Sequence, residues 1–356
     1  MIYYTFPTKD ATIYDYSQSL NTGRDQLLEV TKITDSPDFV GTRRSRALIQ
    51  FNWAVDRKKI NDTFSSFSTA ETANKVEYRL KLHTAEAIAI PYSYNLEVGR
   101  LGESWEMGIG KLDHNPPTEK GVSWKWKTVS GSDPWSIAGG AFSTYTNQTQ
   151  SFEFESSDLD IPISESIAIW NTTPALNHGL IVRYSSSLEA DSLSYGKVQF
   201  FSMDTNTIYS PKMSIAWDDS VWQTGSLSQL TTDEILVYVK NGKYEYHEGE
   251  IARFEIRARD IFPTQTYGTS SAALVTKYLP TSSYWAIEDA ETEEKVIDFN
   301  SDYTKLSCAT TGNFFNFPMD NLISERLYKI VIKVDGRVWD GQTEYFDVNQ
   351  VFKVVR

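Results

Sequence analysis

Carboxylates and histidines are the side chains from which this chain could build an acid–base site. Glu103 and Glu106 flank Trp105 in a glycine-rich stretch, and a pair of carboxylates is what a glycoside hydrolase uses. A three-residue spacing in such a loop does not set the distance between the two groups. We therefore prefer a structural role, in which Glu106 accepts hydrogen bonds from backbone N–H groups of the turn between Gly108 and Gly110.

The histidines form no pair with the spacing of zinc ligands. They are His83, His114, His178 and His247. His178 precedes a strand that we predict to be buried, and we expect it to stabilise the intervening loop through a hydrogen bond. A Ser–His–Asp triad has no fixed spacing and stays open, although the chain lacks a Gly-x-Ser-x-Gly elbow.

The acidic run between Glu288 and Glu294 lacks the glycine that turns a calcium-binding loop. It is typical of a solvated loop between two strands. Cys308 is the single cysteine of the chain, and we expect it to be a small buried apolar residue rather than a nucleophile. From these residues we expect a non-enzymatic protein with no catalytic residue, no bound metal and no cofactor.

Aromatic residues could bind a ligand by stacking. They crowd the stretch between residues 103 and 145 and comprise Trp105, Trp124, Trp126, Trp135 and Tyr145. Aromatic faces stack on sugar rings, so these residues could form a platform for a glycan. Tryptophan and tyrosine are also enriched in cores and subunit interfaces, and we prefer this second interpretation while the first stays open.

The elements that would position these residues centre on an apolar strand at residues 180–184. Ile163, Ile167 and Trp170 recur at i, i+4 and i+7, which is one face of a short helix. The chain then breaks at residues 171–174 and turns into the strand. The turn consists of Asn177, His178 and Gly179.

The 356-residue chain has a net charge of −13 at pH 7. No basic patch stands out, so we expect neither a nucleic-acid partner nor binding to an anionic membrane surface. One cysteine allows no internal disulfide, which agrees with folding in a reducing cytoplasm. We also expect neither a signal peptide nor a membrane-spanning helix, because no apolar run reaches about 20 residues.

Short strands separated by turn signals follow one another along the chain, and aromatic residues make up 13% of it. Both features are typical of an all-β protein. We predict a jelly-roll β-sandwich over residues 1–218, a linker over 219–232, and an immunoglobulin-like or fibronectin-like β-sandwich over 233–356. Asn241 and Gly242 predict a hairpin turn within the second sandwich.

An ordered set of landmarks over residues 6–217 resembles the DNRLRE-type jelly roll, a family similar to carbohydrate-binding modules. The matching stretches are 10–13, 21–23, 46–51, 105–110, 121–124, 177–180 and 200–202. The Ser-Arg-Glu that names the family is replaced here by Ser202, Met203 and Asp204. The resemblance implies a jelly-roll fold for this part of the chain.

The C-terminal part is similar to a domain that ends virion structural proteins of marine tailed phages, especially large myoviruses of cyanobacteria. The matching stretches are 279–285, 291–294, 297–299, 312–316, 325–328 and 352–356. The pairing of the two domains implies a virion component of the tail, neck or baseplate, made in the host bacterial cytoplasm. Its expected partners are other virion proteins and further copies of itself. The alternative is a carbohydrate-binding adhesin that contacts a glycan of the host surface.

Overall fold

Strands dominate the computed structural model, which describes residues 1–113, 120–153, 158–230, 234–262, 275–336 and 341–356. The all-β fold class predicted from the sequence is confirmed. The chain divides into two compact units. The N-terminal unit consists of Tyr4–Thr63 and Glu77–Ile215, and the C-terminal unit of Met1–Tyr3, Phe64–Val76 and Ala216–Arg356. None of the described helices is long and apolar enough to cross a lipid bilayer.

The described residues up to Ala216 form twelve strands, most of which belong to the N-terminal unit. They are β1 (Ile2–Thr5), β2 (Lys9–Tyr14), β3 (Leu27–Ser36), β4 (Phe39–Gln50), β5 (Glu77–Leu82), β6 (Thr84–Ile88), β7 (Ser93–Leu101), β8 (Phe142–Glu153), β9 (Leu159–Pro162), β10 (Leu180–Tyr184), β11 (Gly196–Phe201) and β12 (Lys212–Ala216). The α-helices are α1 (Trp53–Thr63), α2 (Ser65–Thr72), α3 (Ser164–Thr172) and α4 (Ser186–Ala190), and a short 3₁₀ turn spans Pro174–Leu176.

β10 lies inside the larger sheet, whose strand order is β6-β11-β3-β4-β10-β7-β8, with β2 paired on β4. It runs antiparallel to β4 on one side and to β7 on the other. All five of its residues are buried, which is why its first three, Leu180 to Val182, are consecutively apolar rather than alternating. A second sheet has the order β1-β12-β5-β9.

The helix predicted around residues 163–170 is present as α3. Helix α1 was not predicted. Only Trp53 and Ile60 are buried in its 11 residues, so its apolar period is too sparse to indicate a helix.

The C-terminal unit is an immunoglobulin-like sandwich. Its strands are β13 (Ile235–Val239), β14 (Glu245–His247), β15 (Ile251–Asp260), β16 (Ser283–Asp289), β17 (Lys295–Ile297), β18 (Ser307–Ala309), β19 (Gly312–Pro318), β20 (Leu327–Val334) and β21 (Glu344–Val355), with a 3₁₀ turn at Met319–Asn321. One sheet has the order β13-β15-β19-β18 and the other β14-β21-β20-β16-β17. The first order corresponds to the A-B-E-D sheet of the immunoglobulin fold, and the run β21-β20-β16-β17 of the second corresponds to G-F-C-C′.

An aromatic stack joins the two sheets of this unit; it consists of Phe254, Trp285, Phe315 and Phe352. Trp285 on β16 lies face to face with Phe315 on β19, with ring centroids 4.6 Å apart. Phe254 on β15 lies 5.4 Å from Phe352 on β21. A buried tryptophan on the third main strand is a hallmark of the immunoglobulin fold, and Trp285 is 1% exposed.

Tyr328 forms a second hallmark, the tyrosine corner. It lies at the start of β20, where its hydroxyl donates to the Ile323 carbonyl at 2.9 Å and accepts from the Ile323 N–H at 3.0 Å. A tyrosine in this place normally binds the backbone a few residues upstream. The immunoglobulin-like prediction for the C-terminal region therefore holds in its strand order and in these two residues.

Residues 64–76 belong to the C-terminal unit, although the boundaries predicted from the sequence do not include them. Trp217 is the contact that explains this placement. Its ring lies 5.7 Å from that of Phe64 and 5.1 Å from that of Phe67, and its Nε1 donates to Ser66 Oγ at 3.0 Å.

The hairpin turn predicted at Asn241 and Gly242 is wrong. β13 and β15 do pair antiparallel, but β14 lies between them in the chain and belongs to the other sheet. The side chain of Asn241 bridges to β15 instead. Its Nδ2 donates to the Arg253 carbonyl at 2.6 Å, and its Oδ1 accepts from the Glu255 N–H at 2.8 Å.

Candidate functional site

The side chain of Asn21 fastens the glycine- and tryptophan-rich segment 102–141 within the N-terminal unit. Its Nδ2 donates to the carbonyls of Met107 (2.7 Å) and Val122 (2.8 Å), and its Oδ1 accepts from the N–H of Gly110 (2.8 Å). Asn21 is 2% exposed, so losing it would leave buried backbone groups unpaired. One amide therefore holds two parts of the segment together.

The role expected for Glu106 is thereby corrected. Glu106 is exposed, and the Gly110 N–H donates to Asn21. Glu106 is held through its backbone, because its N–H donates to Lys127 O at 3.0 Å and its carbonyl accepts from Val122 N at 2.7 Å. Sequence spacing could not indicate that residue 21 lies beside residue 110.

Two glycines allow the backbone of this segment to approach Asn21 so closely. Gly108 and Gly121 have φ values of +78° and +110°, which other residues rarely adopt. A Cβ added at Gly108 would lie 2.4 Å from Asn21 Oδ1 and 2.7 Å from the Cα of Gly121. Both positions therefore require glycine.

Three of the four tryptophans of the segment are core residues. Trp105, Trp124 and Trp135 are 1%, 6% and 4% exposed. Trp105 Nε1 donates to the His178 carbonyl at 2.9 Å, and Trp135 Nε1 to the Ser123 carbonyl at 3.0 Å. They pack in one cluster with Ala11, Ile13, Leu48, Leu101, Val122 and Ile181. Of the interpretations left open, the structure places these rings in the core, where they offer no face to a sugar.

Trp126 and Tyr145 complete the predicted aromatic set. Trp126 is half-buried, and Lys125 Nζ lies 5.1 Å from its ring centre. The side chain of Tyr145 lies outside the described residues. Trp126 is therefore the one tryptophan of the four with a partly open ring.

The turn before β10 is fixed through its backbone and one amide. Asn177 Nδ2 donates to the Phe51 carbonyl at 2.9 Å. Gly179 has a φ of +93°, and a Cβ there would lie 2.4 Å from the carbonyl oxygen of Ile49. The carbonyl of His178, not its imidazole, makes the loop-stabilising hydrogen bond: it accepts from Trp105 Nε1. Burial and the charge of Arg100 lower the pKa of the His178 imidazole.

Trp170 closes the predicted motif from α3. It is 1% exposed. Ile163 and Ile167 are buried as well, so the three residues form the buried helix face that their spacing predicts. Its Nε1 has no hydrogen-bond partner among the described residues. The structure therefore brings Trp105 and the 177–179 turn into contact and keeps Trp170 in the core.

An ion cluster of four buried charges lies next to Trp124; it consists of Arg46, Glu97, Arg183 and Glu189. Arg46 donates to both carboxylate oxygens of Glu189, at 2.9 and 2.5 Å. Arg183 donates to Glu189 at 3.1 Å and to Glu97 at 3.0 Å. The guanidinium of Arg46 lies 4.8 Å from the Trp124 ring centre, and every member is at most 9% exposed.

The ion cluster ties β4 and β7 to β10 and α4, which lie far from both of them in the chain. Two positive and two negative groups balance within it. Burial lowers the pKa of the Arg46 guanidinium, and Glu189 opposes that effect. Each charge thus meets an opposite one within hydrogen-bonding distance. No pattern in the sequence indicates it.

An open polar cleft of about 370 Å³ lies elsewhere in the N-terminal unit. It is lined by Tyr14, Arg24, Asp25, Gln26, Leu27, Glu29, Lys111, Leu112, Asp113 and Gln199. Asp25 accepts from the Leu112 N–H at 3.1 Å, and Glu29 accepts from Gln199 Nε2 at 3.2 Å. Burial raises the pKa of the Asp25 carboxyl. The cleft presents carboxylate, amide and cationic groups to solvent.

Glu103 is committed to structural contacts. It accepts from the N–H and the hydroxyl of Ser136 and pairs with Lys127 Nζ at 2.9 Å. Burial would raise its pKa, but these bonds outweigh burial and lower it. A general acid needs a raised pKa, so Glu103 does not fit that role. Across the described residues, no group of three or more acidic, histidine or cysteine side chains could hold a metal ion.

Comparison with known proteins adds little. No family model matches the chain, and no curated protein matches it. Among solved structures, it is similar to the adhesin domain of Epf from Streptococcus pyogenes over 99% of this chain and 90% of that one. The identity is 9% and the TM-score 0.16, a similarity too low to carry an argument about fold or function.

Proposed function

We propose that the chain is a non-enzymatic structural protein of a tailed-phage virion, present in several copies and bound to other virion proteins. The observation that carries the proposal is a set of large apolar side chains exposed on strands of the C-terminal unit. Their exposed fractions lie between 36% and 59%. They are Leu236, Tyr238, Ile251, Tyr345 and Val351.

Exposed apolar side chains on rigid strands suit contact with other proteins. Of the strands that carry them, β15 and β21 also carry Phe254 and Phe352 of the aromatic stack. Of the two carboxylates that the sequence offered for catalysis, Glu103 is bound to Lys127 and Ser136. The resemblance of residues 279–356 to virion structural proteins points in the same direction.

The proposal is tested on particles purified from the phage that encodes this chain. Quantitative peptide mass spectrometry should find the chain in several copies per particle, and antibodies against it should label tail, neck or baseplate in electron micrographs. Absence of its peptides from particles in which other structural proteins are well covered would refute the proposal.

Carbohydrate binding is the second candidate, and the polar cleft favours it. Its amide, carboxylate and cationic groups could bind the hydroxyl groups of a sugar, whereas three buried tryptophans cannot. A glycan array on the intact protein should then show binding that Gln26→Ala weakens and Trp126→Ala does not. Equal loss in both variants, or no binding by the folded protein, would speak against the cleft.

A further inference from the structure

The outer face of the sheet β13-β15-β19-β18 carries more positive than negative charge, although the chain has a net charge of −13. Successive side chains of a strand point to opposite faces of the sheet. Phe254 and Ile256 of β15 are 0% exposed, so the residues that alternate with them point outward. They are Arg253, Glu255, Arg257 and Arg259. The sequence shows no basic run here, because the arginines alternate with apolar residues.

Lys240 adds a fourth cation to this face. It directly follows β13, and its N–H donates to the Glu255 carbonyl at 2.9 Å, so the pairing of β13 with β15 continues to this row. Outward positions that are diagonal on adjacent strands lie about 7–8 Å apart, which makes Lys240 a neighbour of Arg253. The basic face is defined here as Lys240, Arg253, Glu255, Arg257 and Arg259.

Two of these cations are presented to solvent. Lys240 and Arg253 are exposed. The guanidinium of Arg253 lies 3.5 Å from the ring centre of Phe314, which holds it flat on the sheet. Arg257 donates to Glu255 at 2.8 Å, and its side chain is 9% exposed. Because Glu255 is paired with Arg257, the charge that the basic face shows to solvent is positive.

The same unit carries a loop of opposite charge between β16 and β17. Glu291, Glu293 and Glu294 are all exposed within four residues. Asp289, at the end of β16, fixes the loop, because its Oδ1 accepts from two backbone N–H groups of the loop, both at 3.0 Å. The acidic loop, residues 290–294, therefore presents three carboxylates on a backbone that is held in place.

We propose that the acidic loop of one copy of this chain docks on the basic face of a second copy. The proposal rests on the proposed multi-copy role in a virion and names the contact between copies. Surfaces of an acidic chain repel one another in general, whereas these two attract. The contact joins two different surfaces, so it repeats from copy to copy and gives a ring if it closes and a filament if it does not.

Apolar side chains beside the cations suit contact with a protein. Leu236 and Tyr238 of β13 are 39% and 36% exposed and lie opposite arginines of β15. Ile251, at the start of β15, is 42% exposed. Tyrosine and arginine are enriched in protein interfaces, and arginine binds a carboxylate through two parallel hydrogen bonds. The glutamates of the acidic loop supply such carboxylates.

The cation that already lies near the acidic loop does not prevent this contact. Lys329 Nζ is 3.4 Å from a carboxylate oxygen of Glu293, whose side chain is 77% exposed. An ion pair that is exposed in this way contributes little. Glu293 can therefore turn to a cation of a second copy at small cost.

Charge reversal tests the contact from both sides. The face variant carries Lys240→Glu and Arg253→Glu, and the loop variant carries Glu291→Lys and Glu293→Lys. Sedimentation velocity over about 1 to 500 µM suits a small interface, because small interfaces are weak. Wild-type protein should associate in this range. Each variant alone should associate at least about ten-fold more weakly, because like charges then face each other.

A mixture of the two variants is the decisive measurement. The loop variant keeps the basic face and the face variant keeps the acidic loop, so the native contact forms between them. The two reversed surfaces attract each other as well. We expect the equimolar mixture to recover the association of the wild type. A wild type that stays monomeric over the whole range, or a mixture no better than the separate variants, would overturn the proposal.

A second face variant guards against misfolding. Arg253→Glu removes the contact with Phe314, whereas Lys240→Glu alone changes an exposed position. Lys240→Glu should weaken association in the same direction with a smaller effect, and the loop variant should restore it in the mixture. Thermal melting of each variant shows whether it is folded. Folded variants that associate as the wild type does would contradict the contact.

Lys58→Glu with Lys59→Glu is the matched control. Both lysines are exposed on α1, and their reversal changes the net charge by the same amount as the face variant does. The control should associate as the wild type does. If it weakens association as much as the face variant, net charge governs the effect and the basic face does not.

Single-stranded nucleic acid is another acidic polymer that a basic face with aromatic side chains can bind. The fluorescence anisotropy of a labelled oligothymidine, in the same buffer, measures such binding. If the wild type binds the oligonucleotide without associating with itself, and the face variant loses that binding, the contact between copies is wrong.

The two proposals fail in different ways. If the chain is in purified particles but charge reversal leaves its association unchanged, the contact is wrong and the virion role stands. If the mixture of variants recovers association but the chain is absent from particles, the contact stands and the virion role is wrong.

Discussion

The two units are built around different interiors. The N-terminal unit encloses the ion cluster, in which each charge depends on a partner on another element. The C-terminal unit encloses the aromatic stack, in which rings from both sheets pack by shape. Buried charges are costly once a partner is removed, whereas rings tolerate exchange for groups of similar volume. The N-terminal interior is therefore the more demanding of the two in residue identity.

Arg183→Met would test that difference most severely. The variant keeps an unbranched apolar stem but leaves two buried carboxylates without this cation, since Arg183 binds both Glu97 and Glu189. We expect a loss of about 3–5 kcal/mol in the free energy of unfolding, the cost of an uncompensated buried charge. Urea unfolding of the full chain measures it.

Arg24→Met is the matched control for this change. Arg24 pairs with Asp204 at 3.0 Å, but its side chain is 51% exposed. An exposed ion pair contributes at most about 1 kcal/mol. If the two variants lose similar stability, the ion cluster contributes no more to the free energy of unfolding than an exposed ion pair does.

The second largest effect that we expect is a pH dependence of the free energy of unfolding. Asp10 on β2 is 1% exposed and accepts the Met203 N–H at 2.6 Å. Burial raises the pKa of Asp10 to about 7, although that N–H and Arg24 oppose it. In the unfolded chain the pKa is about 3.9. Between these values the folded protein holds a proton that the unfolded chain has released, so stability falls as pH rises from about 4 to about 7 and then levels off.

Asp10→Asn isolates the contribution of the Asp10 carboxyl to this pH dependence, because the amide keeps an oxygen that can accept the Met203 N–H and cannot ionise. The stability of the wild type relative to Asp10→Asn should fall by about 2–4 kcal/mol between pH 4 and pH 8, which follows from about 1.4 kcal/mol per unit of pKa change. A difference that does not change with pH would mean that Asp10 titrates normally in the fold.

Tyr328→Phe probes the C-terminal unit with a smaller change. The ring keeps its packing, but the Ile323 N–H and carbonyl lose their partner. We expect a loss of about 1–2 kcal/mol, the cost of unpaired groups that are partly buried. Tyr345→Phe, at a position that is 59% exposed, should change stability by less than about 0.5 kcal/mol. Equal effects would remove the tyrosine corner as a stabilising feature.

Local patterns in the sequence predict much of the sheet structure. β5 shows this clearly, since Tyr78, Leu80 and Leu82 alternate with exposed or half-buried residues, as the period of two requires. β10 follows its apolar run, and α3 follows its helical period. In each case the burial pattern is set by neighbours a few residues away.

The candidate site depends on contacts that local patterns do not encode. Arg46 and Glu189 are 143 residues apart in the chain, and Asn21 and Gly110 are 89 apart. The role of the tryptophans also stayed open in the sequence, because stacking on a sugar and packing in a core use the same residue type. Only the fold decides that Trp105 and Trp135 face inward.

The reactivity of the Cys308 thiol measures how well the interior of the C-terminal unit is shielded from solvent. Cys308 on β18 is 1% exposed, and burial raises its pKa to about 11. Because the thiolate is the reactive form, we expect native protein at pH 8 to react with a thiol reagent at least about a hundred-fold more slowly than a free cysteine, as a pKa of about 11 against about 8.5 implies. Unfolded protein should react fully, with one thiol per chain. Fast reaction of the native protein would show that β18 opens readily, and the aromatic stack would then not keep its sheet closed.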